Sequence, residues 1–100
     1  MNKKAFAGFM ARLQNILDEL DKFEMTDELE ELNAEFEDAL FMLEDFDPEE
    51  EGSQEELEES LDELNALLED YRELADETPE LRQQVTEIEM CLKMIENNMG

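Results

Sequence analysis

Apolar residues return every three or four positions along almost the whole chain. The first set is Phe6, Phe9, Met10, Leu13, Ile16, Leu17, Leu20 and Phe23, and the second is Leu29, Leu32, Phe36, Ala39, Leu40, Leu43 and Phe46. A third set is Leu57, Leu61, Leu64, Leu67, Leu68, Tyr71, Leu74 and Ala75, and a fourth is Leu81, Val85, Ile88, Cys91, Leu92, Ile95 and Met99. At about 100° per residue each set falls on one face of a helix, with acids and amides on the other. No stretch alternates with period two, and Val and Ile are few, so no strand is expected.

The polar breaks between the sets carry helix-start signals. Thr26 or Asp27 is placed to cap the second helix, and Asp27 with Glu30 has capping-box spacing. Asp47-Pro48 ends that helix, because the residue before proline avoids the helical region. Gly52 lies in the following turn, and Ser53 with Glu56 has the spacing of a second capping box. Thr78 precedes Pro79, which suits the first position of the fourth helix. Helices are therefore expected near residues 3–23, 27–46, 54–76 and 79–98. The links are short, the longest being DPEEEGS, and short links make sequential helices antiparallel neighbours. The expected fold is all-α: a four-helix antiparallel, up-down bundle in one domain spanning residues 1–100. The alternative is a pair of helical hairpins that completes its core as a homodimer.

Two segments repeat a line almost word for word. LEELNAEFED at 29–38 and LDELNALLED at 61–70 are identical at seven of ten positions, at an offset of 32. That offset maps helix two onto helix three, whereas a duplicated hairpin would map helix one onto helix three. LDEL also occurs at 17–20. The likeness is read mainly as convergent helical patterning, with internal duplication as the alternative.

Charge changes the picture most. There are 7 basic and 32 acidic residues, for a net charge of −25, and no histidine. Residues 1–23 carry a net +1 and residues 81–100 a net −1, so residues 24–80, with Arg72 as their one base, carry −25. Such a field repels nucleic acid and anionic membranes, and favours a basic partner.

Candidate chemistry is sparse. Without histidine the commonest general base and metal ligand is missing. Cys91 sits on the apolar stripe of helix four and reads as a core thiol. There is no Gly-rich phosphate loop and no CxxC pair, so neither an enzyme nor a cofactor is expected. A single cysteine forbids an intrachain disulfide, and no apolar run approaches a membrane span. The start, MNKKAFAGFMARL, is interrupted by Arg12 and lacks a small-residue cleavage site, so it reads as the first bundle helix rather than a signal peptide. Its acid-free first 17 residues leave a transit peptide or surface-lying helix as the alternative. A cytoplasmic protein is expected.

The turn DFDPEEEGSQEE, residues 45–56, places Asp45, Asp47, Glu49, Ser53 and Glu56 at positions 1, 3, 5, 9 and 12 of an EF-hand loop. Position 6, where glycine makes the sharp turn, is Glu50, and position 8 is Gly52. The turn is expected to attract divalent cations only loosely.

The acids themselves are the main candidate site. Glu30, Glu31, Glu35, Glu37, Asp38, Glu44 and Asp45 fill the outer side of helix two, and Glu58, Glu59, Asp62, Glu63, Glu69, Asp70 and Glu73 that of helix three. Carboxylates four apart on a helix are separated by about 6 Å, close to phosphate spacing along a strand. A chain that needed only solubility would mix in lysine. Phe41 points away from the core stripe among these acids, and Met42 lies well off it, so Phe41 is a candidate binding anchor. Gln83, Thr86, Met90, Met94 and Asn97 give helix four an uncharged outer face suited to a homodimer or a second partner. The expected function is a small acidic binding protein that blocks a basic nucleic-acid-binding site on a partner. In size and composition alone it resembles phage-type inhibitors of host defence nucleases, with no shared motif. The competing expectation is an assembly module that binds a helix, or itself, through the uncharged face.

Overall fold

The computed structural model describes residues 2–99, and of Met99 the backbone alone, so the last member of the fourth stripe lies outside the described side chains. The helices are α1 (Lys3–Leu20), α2 (Asp27–Glu44), α3 (Ser53–Glu77) and α4 (Arg82–Met99), with a 3-10 turn at Pro79–Leu81 before α4. No strand occurs among the described residues. None of these helices is long and apolar enough to cross a membrane.

The helix ends show which start signals act. Asn2 begins α1, its Oδ1 accepting from the Ala5 N–H at 2.7 Å. α1 stops at Leu20, short of the expected residue 23, because the chain tightens: Lys22 N–H donates to the Glu19 carbonyl and Phe23 N–H to that of Leu20. Thr26 caps α2, accepting from Leu29 N–H at 3.2 Å. Asp27, Glu28 and Glu30 then occupy the first turn, where the positive end of the helix dipole favours acids. Neither expected capping box forms: Asp27 lies inside α2 behind Thr26, and Ser53 caps nothing. The N-cap of α3 is Gly52, in the left-handed region at φ 83°, and Ser53 is already helical and buried. The left-handed glycine turns the Ser53 hydroxyl inward, where it donates to the Pro48 carbonyl at 3.2 Å. Thr78 makes no side-chain cap. Its carbonyl accepts from Leu81 N–H at 3.0 Å, so the chain enters through a 3-10 turn and α4 begins three residues later than the expected Pro79. That turn seats Leu81 in the core.

α1 packs on α2 and α4, and α3 packs on the same two helices, which closes a ring. Phe6 near the start of α1 packs at a tilt against Phe46 just past the end of α2, with ring centroids 5.2 Å apart. Arg72 of α3 reaches Glu89 of α4, and Asn65 reaches Glu96, so these two helices also run antiparallel. The result is the up-down bundle, 42 × 21 × 20 Å, with its core completed inside one chain rather than by paired hairpins. The described members of all four stripes are buried, except Met10, Phe23, Leu32 and Phe46, which are half-buried at the rim. Each fully buried leucine, such as Leu13 or Leu20, contributes about 1.5–3 kcal/mol.

Three polar side chains enter this core: Asn33, Ser53 and Gln84. Tyr71 OH donates to Asn33 Oδ1 at 2.8 Å, and Asn33 Nδ2 donates to Asp21 Oδ1 at 3.1 Å, tying α3, α2 and the end of α1 together. Gln84 Oε1 has no hydrogen-bond partner among the described residues. The two copies of the repeated line differ in these bonds. Asn33 is in the core, whereas its counterpart Asn65 is half-buried and donates to the Leu61 carbonyl of its own helix. The same residue in the same pattern does two different things.

Candidate functional site: the acidic face of helices two and three

Every acid expected in the site is exposed, from Glu30 to Asp45 on α2 and from Glu58 to Glu73 on α3. They do not form one flat patch. Packing of α2 on α3 aligns Glu31 and Glu35 with Asp70 and Glu73 across a groove of about 410 Å³, floored by Leu32 and Leu74. Glu28 and Glu77 extend the two rows. Sequence reasoning left both out of the site, although Glu28 is three residues before Glu31 and Glu77 four after Glu73, the spacing that continues a helical row.

The remaining candidates separate. Glu37, Phe41, Glu44 and Asp45 line a different groove, of about 850 Å³, between α1 and α2. Glu69 and Glu73 reach the α3–α4 side, beside Arg72 and Arg82. Glu30, Asp38, Glu58, Glu59, Asp62 and Glu63 are exposed outside these three grooves.

Almost nothing neutralises the field from within. Among the described residues, the only acids of the central segment in ion pairs are Asp47, 3.6 Å from Lys3, and Glu69, 3.9 Å from Arg72. The carboxylates of α2 have no cationic partner in these pairs. Arg72 turns its closer contact, at 3.0 Å, toward Glu89 of α4. Hydrogen bonds from Lys93 and then Arg72 hold the Glu89 carboxyl below the usual range. Beneath the groove, Tyr71 is fully buried. Burial, then the charges of Asp21 and Glu35, push its ionisation well above the ordinary value.

The turn at 45–56 does not gather its candidate ligands. Asp47 faces Lys3 and accepts from the Glu49 N–H at 2.9 Å, while Glu49 accepts from the Lys3 N–H at 2.9 Å. Glu56 lies in the first turn of α3. No group of three acidic or cysteine side chains arranged for a metal ion occurs among the described residues.

Phe41 is 72% exposed and Met42 69%. Phe41 borders Ala7, Met10 and Ala11 across the α1–α2 groove, with acids on its own helix to either side. Cys91 is buried, its thiol 3.8 Å from the Phe9 carbonyl, and burial raises its pKa against the opposing pull of Arg12. Gln83, Thr86, Met90, Met94 and Asn97 are all exposed on α4.

Comparison with protein-family models, with curated proteins and with solved structures finds no match to this chain.

Proposed function

We propose that this protein binds a basic, nucleic-acid-binding site on another protein and blocks it, its carboxylates standing where phosphates would stand. The observation that carries this reading is the α2–α3 face, where two rows of carboxylates oppose each other across a groove and, among the described residues, enter no ion pair. A surface that leaves so much charge unpaired bears its own repulsion, and a basic partner would relieve it. Such a contact is steered at long range and weakens with salt. Phe41, in the α1–α2 groove with Glu37 and Glu44, adds an apolar anchor. The narrower form of the proposal is an inhibitor of phage type, directed at a host nuclease or defence system in the cytoplasm.

The test is capture of partners from a host lysate on the immobilised protein, read by mass spectrometry at two salt concentrations. Basic nucleic-acid-binding proteins should be retained, released by salt and displaced by added nucleic acid. Reversing Glu31 and Glu35 to lysine, or Asp70 and Glu73, inverts one row of the groove and should weaken capture strongly while the helices stay intact. Phe41→Ala should speed dissociation and leave the salt dependence unchanged. The reading fails if both reversals leave the partner bound while changes at Met90 and Met94 release it. That outcome favours the second reading, an assembly module that works through α4.

A further inference from the structure

The bundle sorts the chain's charge by side. Residues 1–23 and 81–100 carry net charges of +1 and −1, and the fold places α1 against α4, so a neutral half backs the −25 of residues 24–80, which include α2 and α3. This arrangement limits how two copies can meet. A twofold contact uses the same surface on both copies, so each cation must find an anion on an identical face. The α2–α3 face, nearly all acid, repels its own image. The α1–α4 face carries both signs: Arg12 and Lys22 share a groove of about 750 Å³ with Asp18, Glu19 and Glu87.

Apolar surface lies at the same place. Met90 lines that groove and is 59% exposed. One turn along α4, Met94 is 38% exposed, with the Arg12 guanidinium 3.4 Å from its sulfur. The surface thus combines two exposed methionines with charges of both signs, a composition that suits a protein interface.

We infer that the α1–α4 face binds a second copy of this chain, in a twofold dimer that turns the two acidic faces outward. The dimer does not depend on the proposed function. What it would add to that function, two acidic faces offered to one or two basic partners, does rest on it. The dimer also obeys its own salt law. Two copies of net charge −25 repel at long range, so added salt strengthens the apolar, charge-balanced contact. The same salt weakens a contact between the acidic face and a basic partner.

Sedimentation equilibrium of the full chain, from micromolar to millimolar, tests this at low and moderate sodium chloride. The expected result is a monomer–dimer equilibrium that shifts toward dimer with salt. Met90→Lys with Met94→Lys should raise the dimer dissociation constant by at least about tenfold. Both side chains are exposed, and circular dichroism checks that the helices persist. Phe41→Ala should leave the equilibrium unchanged. A mass of 11.7 kDa at every concentration and salt overturns the inference. So does a dimer that survives the two lysines but is broken by Phe41→Ala, which would move the contact to the α1–α2 groove. Either result leaves the capture experiment with the charge-reversed acids to decide the proposed function separately.

Discussion

Replacing Tyr71 by phenylalanine removes one oxygen from the centre of the bundle and predicts a specific pH signature. The ring stays, with its edge-on packing against Phe36 at 6.1 Å, so little volume is lost. What disappears is the donor to Asn33 Oδ1, in a residue that is only 5% exposed. A buried acceptor left without a partner costs about 1–3 kcal/mol. At the middle of that range, about 2 kcal/mol, the melting temperature of a domain this size should fall by about 8–16 °C. Alkali should then close the gap. The folded-state pKa of Tyr71 is raised above the ordinary value of about 10, by burial first and then by Asp21 and Glu35. Below pH 10 both folded and unfolded chains keep the proton, and the hydroxyl's contribution is fully present. Above it the unfolded chain releases the proton and the folded chain holds it, so wild-type stability falls by up to about 1.4 kcal/mol per pH unit until the folded pKa is reached. Phenylalanine has no such proton. Urea unfolding of both proteins at pH 8, 9, 10 and 11 should show a constant gap up to pH 10 that then shrinks. A gap that stays constant to pH 11, or no loss of stability at pH 8, would refute the buried hydrogen-bonded placement of the hydroxyl.

Gln84→Met exchanges a buried amide whose Oε1 has no partner among the described residues for an apolar side chain of similar size, and should stabilise the fold by about 1 kcal/mol in chemical denaturation; a loss of stability would show that the amide is satisfied in solution. Moderate sodium chloride should raise the melting temperature above its value at low salt, because it screens the unpaired carboxylates of α2 and α3; a curve indifferent to salt would show that these acids are spaced too widely to repel each other.

The helices were legible because burial demands periodicity. Leu13 and Leu20, or Leu57, Leu61 and Leu64, can face one core only as a helix, and a one-chain pattern of four such stripes with short links leaves few ways to close. Thr26 was legible as a cap because capping is local. Ser53 was misread for a related reason: whether a serine caps depends on the direction from which the chain arrives, and the left-handed Gly52 sets that direction. Nor does local pattern separate Asn33 from Asn65. They occupy matching places in nearly identical lines, and only Tyr71, 38 residues from Asn33, makes one of them a core residue.

The candidate site divides in the same way. That the charge is excessive, confined to the middle of the chain and carried on exposed helix faces is a property of the sequence, since counting and periodicity need no neighbours. Which acids face one another is not. The register of α2 against α3 brings Glu28, Glu31 and Glu35 opposite Asp70, Glu73 and Glu77, and the register of α1 against α2 draws Glu37 and Phe41 to another groove. Register is set by how the leucines, Phe36 and Tyr71 interlock in the core, an interaction between distant segments that no single helix encodes. The neutral half is likewise tertiary, because two chain ends of opposite net charge become one surface only when α4 returns to lie along α1.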